Sequence, residues 1–121
     1  MDDNQITLRK LKSLISLSMR AGKLITGEDS CVKALQNGRG QLVLVATDAS
    51  DNTRKKFSDK SSFYGVPCYS CFSKDDIEGM IGKPNRATVA ITCDNFASNM
   101  LKLFDELNAS RYTFNVSNVS N

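Results

Sequence analysis

Ser18-Met19-Arg20-Ala21-Gly22-Lys23-Leu24-Ile25-Thr26-Gly27-Glu28-Asp29-Ser30-Cys31-Val32-Lys33-Ala34-Leu35 reads as a helix end, a one-turn loop, a short strand, a glycine and the opening of a second helix. Gly22 stops the first helix, and Leu24-Ile25-Thr26 is short and β-prone. Gly27 allows a close backbone approach, and the helix after it opens with N–H groups that have no partner inside the helix. Lys23 and Lys33 are expected to flank that opening. A helix N-terminus between two lysines suits phosphate.

The same alternation continues in both directions. Upstream, residues 5–20 place Ile6, Leu8, Leu11, Leu14, Ile15 and Leu17 on one broad apolar face, with Arg9, Lys10, Lys12 and Arg20 on the other. The second helix is expected over about 28–37, turning Cys31, Val32, Ala34 and Leu35 inward, with Gly38 as its stop. Leu42 to Ala46 is a continuous apolar run, the pattern of a strand buried on both faces. A turn at Asp48 to Ser50 leads to a third helix over about 52–64, where Arg54, Lys55 and Lys56 read as a solvated face and Gly65 ends the helix. Pro67 to Phe72 is the next strand. Ser73-Lys74-Asp75-Asp76 has capping-box spacing for a short helix ending at Ile81. Gly82-Lys83-Pro84-Asn85-Arg86 is a tight polar loop before a last strand, Thr88 to Thr92, and Asp94 is expected to cap a final helix over about 95–107. Alternating helices and strands imply a sheet covered by helices on both faces, with strand direction left open.

At 121 residues, 40% hydrophobic and 24% charged, the chain has the composition of a soluble globular protein. Residues 1–108 are expected to form a single domain and residues 109–121 a polar, disordered tail, although the alternation of Tyr112, Phe114 and Val116 leaves a docked edge strand open. No apolar run approaches the roughly 18 residues of a membrane helix. Met1-Asp2-Asp3-Asn4 is acidic and polar, unlike a secretory leader, so the expected location is cytoplasmic. The net charge is +3, and the basic excess lies in residues 1–66. That suits a polyanion without proving one.

The four cysteines have no histidine beside them. Cys68 and Cys71 fall in an expected strand, where residues three apart point to opposite faces, and Cys31 and Cys93 are isolated. Small buried hydrophobes explain them better than a metal or a disulfide. A P-loop fails because Leu17 stands where its first glycine would and Leu24 follows Lys23. Gly38-Arg39-Gly40 lacks the third glycine of a dinucleotide loop and precedes a strand. No nucleophile-and-base pair stands out, so the expectation is no enzyme, no metal and no cofactor.

The strings M-R-A-G-K-L-I-T-G-E-D-S-C-V-K-A-L, Q-L-V-L-V-A-T-D-A-S-D-N-T-R-K-K-F, F-Y-G-V-P and I-G-K-P-N-R-A-T-V-A-I-T together resemble the L-seven-Ae family of ribosomal proteins, and most of all its bacterial YlxQ-like branch. The resemblance spans residues from about 8 to 107. It implies a three-layer α/β/α sandwich around a mixed four-stranded sheet. It further implies binding to structured RNA, typically kink-turns with tandem sheared G·A pairs, in ribosomes and ribonucleoproteins.

RNA-binding members open the second helix with G-x-N-E-x-x-K. Gly27 and Lys33 match that motif, whereas Asp29 replaces its Asn and Ser30 its Glu. A carboxylate at Asp29 still accepts hydrogen bonds from guanine N–H groups. Glu28 and Asp29 together, however, repel phosphate, and Thr26 and Asp29 have capping-box-like spacing. In the loop before the last strand, Lys83 and Arg86 stand where kink-turn binders usually present small apolar residues, which favours phosphate contact over shape-specific packing. The expected RNA-binding set is therefore Lys23, Gly27, Glu28, Asp29, Ser30, Lys33, Lys83 and Arg86. The expected partners are rRNA or another structured RNA, with ribosomal or translation proteins beside it. The alternative is a protein-interaction module of the same fold that has lost kink-turn specificity.

Overall fold

The computed structural model describes residues 3–108 and 114–115. Its elements run α1 (Asp3–Arg20), β1 (Leu24–Thr26), α2 (Glu28–Gln36), β2 (Leu42–Val45), α3 (Asp51–Tyr64), β3 (Cys68–Ser70), α4 (Lys74–Ile81), β4 (Thr88–Ile91), α5 (Asp94–Asn108) and β5 (Phe114–Asn115). The sheet order is β1-β4-β2-β3-β5. β4 lies antiparallel between β1 and β2, β2 and β3 are parallel, and β5 is antiparallel to β3. The mixed sheet expected from the resemblance is present, and a two-residue strand extends its four strands to five. That strand falls within the tail expected to be disordered; the rest of 109–121 lies outside the described residues.

The crossovers explain the layers. β1 to β2 and β2 to β3 both join strands of like direction and step the same way across the sheet, so crossovers of one hand put α2 and α3 on one face. α1, α4 and α5 pack together on the other face. β2 and β4 are buried at every residue, as central strands covered on both faces must be. Phe57 of α3 fills the core under α2 and α3. Leu11, Ile15, Met100 and Phe104 fill it on the other side, where Tyr69 stacks on Phe104 with ring centroids 4.5 Å apart.

Helix ends follow the glycines. Lys23 N–H donates to Ser18 O at 2.8 Å and Gly22 N–H to Met19 O at 3.1 Å, with Gly22 left-handed at φ 72°. This paired closure satisfies the last carbonyls of α1. Gly38 closes α2 in the same way, through Arg39 N–H to Ala34 O and Gly38 N–H to Leu35 O. The capping box at Ser73 is present: its hydroxyl accepts from Asp76 N–H and the Asp76 carboxylate accepts from Ser73 N–H.

Several expectations need correction. The buried stripe of α1 runs Thr7, Leu11, Ile15 and Ser18, leaving Ile6 and Leu17 exposed, because α4 and α5 cover a narrower strip than the apolar positions would fill. β3 is shorter than Pro67 to Phe72: Thr47 N–H already bonds Phe72 O beyond the strand end, and Cys71 is half-buried there. Val32 is half-buried on the edge of α2 that faces α3. Asp94 stands in the first turn of α5, one residue inside the expected cap.

Candidate RNA interface

The end of the sheet where β1 and β2 finish and β4 begins gathers four loops. Gly27 N–H donates to Thr88 O at 3.3 Å, and Ala46 N–H donates to Ala87 O at 2.8 Å. The loop carrying Lys83 and Arg86 is thereby fixed between the opening of α2 and the end of β2. Asp48 ties the rim together by accepting from Lys74 N–H at 2.9 Å, the capping role expected of a turn aspartate.

Gly27 is the N-cap of α2, with φ 100° and ψ 143°, and no side chain caps the helix. The capping-box spacing of Thr26 and Asp29 is therefore not used. The Thr26 hydroxyl turns the other way, donating to Thr88 O at 2.9 Å and pinning β1 to β4. A Cβ on Gly27 would lie 3.6 Å from Arg86 Nη1, so the guanidinium lies against the glycine at the positive end of α2. Arg86 Nε is buried there without a hydrogen-bond partner. Two sources of positive potential thus meet at one point.

The two acids of the first turn part company. Glu28 reaches across to α3, where Oε2 accepts from the Thr53 hydroxyl at 3.2 Å and Oε1 pairs with Lys56 Nζ at 3.3 Å. Its charge is met, which weakens the repulsion of phosphate expected from the sequence. Asp29 and Ser30 are exposed on the outer side of the turn. Asp29, Val32 and Lys33 of α2 line a shallow groove of about 290 Å³ with Lys56 and Lys60 of α3. Three lysines and one carboxylate thus share its lining.

Lys83 is exposed in its loop, beside a turn in which Asn85 takes φ 58°. Lys23 does not flank the opening of α2. Its carbonyl accepts from Thr92 N–H at 2.9 Å, at the opposite end of β1. The three residues of β1 put about 10 Å between that end and Gly27. The structure thus brings together Gly27, Glu28, Asp29, Ser30, Lys33 and Arg86, with Lys83 in the adjoining loop, and separates Lys23. Lys60 was missed by sequence reasoning, and Lys56 was read as solvated. Their signal was the i, i+4 spacing on a helix that follows the second βα turn. Arg54 and Lys55 do not join the groove: Arg54 donates to Thr47 O at 3.3 Å, and Lys55 pairs with Asp59 at 3.3 Å.

The cysteines are free thiols. Cys31 and Cys68 are buried in the core, and burial pushes both thiols up to about 12. Glu28 adds to the rise at Cys31. Cys71 and Cys93 are only half-buried.

The chain belongs to the ribosomal protein L7Ae/L30e/S12e/Gadd45 family, whose model matches residues 9–102. It is 46% identical over 102 residues to the RNA-binding protein YlxQ of Enterococcus faecium, covering 84% of this chain and 98% of that protein. It is 41% identical over 92 residues to the RNA-binding protein YlxQ of Bacillus subtilis strain 168, covering 76% and 92%. A solved structure of a Bacillus halodurans C protein of unknown function superposes with a TM-score of 0.77 at 35% identity, covering 79% of this chain and 97% of that one. Both YlxQ relatives bear the name of RNA-binding proteins and not of enzymes, in keeping with the expectation that the chain is non-catalytic. Among the described residues no helix is long and apolar enough to cross a membrane.

Proposed function

We propose that this chain is a non-catalytic RNA-binding protein that docks on structured RNA of the kink-turn type in association with the ribosome or translation. The observation that carries the reading is the meeting of Arg86, with its unpartnered Nε, and the uncapped positive end of α2 at Gly27. A backbone phosphate is the anion that this positively charged corner attracts. Lys33 and Lys60 extend that contact along the groove, beside the Lys56–Glu28 pair, and Lys83 extends it at the loop. Asp29 and Ser30, exposed on the first turn, meet base edges. Glu28 acts by holding α2 against α3. The function needs no metal or cofactor. Four free thiols suit the reducing cytoplasm, where ribosomal RNA also lies.

Affinity measured across a salt series for a kink-turn with tandem G·A pairs, a plain duplex of equal length and tRNA tests this. The expected result is a clear preference for the kink-turn, with log affinity falling linearly in log salt. Lys33→Ala is expected to weaken all three RNAs about equally and to reduce the salt slope by about one. Weak, equal binding that vanishes with salt would sink the kink-turn reading and favour the protein-interaction alternative.

A further inference from the structure

α3 carries more along its groove-facing flank than the two lysines. Lys56, Lys60 and Phe63 fall four and three residues apart, which places them on one side of the helix. Phe63 is 81% exposed, far more than any other large exposed hydrophobic among the described residues. Tyr64 beside it is 39% exposed, and the two rings meet edge to face with centroids 4.9 Å apart and planes at 87°. Gly65, left-handed at φ 69°, turns the chain away immediately afterwards, so the pair stands at a free helix end.

We infer that Phe63 and Tyr64 form a stacking platform for an unpaired nucleobase of the same RNA, at the far end of a track that starts at Gly27; the inference rests on the RNA reading above. Lys56 sits level with the first turn of α2, to which Glu28 ties it. Seven residues further along α3, Phe63 lies about 10 Å down the helix axis. A strand whose phosphates follow Lys33 and Lys60 along the groove is delivered to the rings. Asp59, the acid on this stretch, is already paired with Lys55. The last turn of α3 has no basic residue, and a helix C-terminus carries negative potential. Phosphate is disfavoured there, whereas the flat face of a base stacks on an aromatic ring whatever its sequence.

The test uses the full chain and the kink-turn RNA, unextended or carrying a two-nucleotide single-stranded extension on each strand end in turn, with 2-aminopurine at the tip. One extension is expected to raise affinity about tenfold and to quench the 2-aminopurine on binding. Phe63→Trp should keep both effects and Phe63→Leu should lose both. Each variant should bind the unextended RNA as the unsubstituted chain does, because the residue is exposed and outside the core. If no extension gains affinity, the platform is refuted while the docking site stands. If Phe63→Leu keeps the gain, the surface serves apolar packing, as against a protein, and stacking is refuted. If even the unextended RNA is not bound, the docking reading fails and takes this inference with it.

Discussion

Gly27 holds a backbone conformation that residues with a Cβ rarely adopt, at φ 100° and ψ 143°. Gly27→Ala is expected to destabilise the fold by about 1–3 kcal/mol, read from urea unfolding. Its Cβ meets Arg86 Nη1 at an ordinary contact distance of 3.6 Å, so the cost is conformational more than steric. The two core thiols give a second expectation. Cys31 and Cys68 are raised from an ordinary value of 9.0 to about 12 by burial. The unfolded chain therefore ionises first as pH rises. Their contribution to stability is complete below about pH 9 and is lost progressively toward pH 12, which unfolding followed over that range checks. A neutral-pH thiol probe should label Cys71 and Cys93, both half-buried, well before Cys31 and Cys68. The sequence made the glycine at the opening of α2 and the small-hydrophobe role of Cys31 and Cys68 legible. It did not show that Arg86 folds back onto Gly27, because that contact joins residues 59 apart through the β1–β4 pairing.

At the scale of elements, local chemistry decided the ends. Ser73 and Asp76 close a capping box on α4, and Ser50 caps α3 by accepting from Thr53 N–H at 3.2 Å. Ser73→Ala should cost about 1 kcal/mol, seen as a lower unfolding midpoint in a thermal melt. The capping box and the glycine stops could be read from sequence because each depends on neighbours within five residues. Thr26 shows the limit. Its spacing to Asp29 looked equally like a cap, but the hydroxyl met Thr88 across the sheet first. The width of the buried face of α1 was likewise hidden, because how far α4 and α5 cover it is a tertiary outcome. Lys56 shows the same limit on α3: a basic run reads as solvated until α2 brings Glu28 within 3.3 Å.

Across the whole molecule, the sheet order separates two ends that the sequence placed side by side. Lys23 and Gly27 are four residues apart in the chain, yet β1 lies between them, so Lys23 belongs to the end where β4 meets α5. We propose that RNA is held at the other end, by α2, the 82–87 loop and the flank of α3. Backbone amide chemical-shift mapping during titration with a kink-turn RNA tests this most directly. The largest shifts are expected at Gly27 to Ser30, Lys33, Lys56 and Arg86, with Phe63 responding only when an unpaired extension is present, and little change at Lys23 or along α1. Shifts gathered on α1 and α5, with the opening of α2 silent, would contradict it.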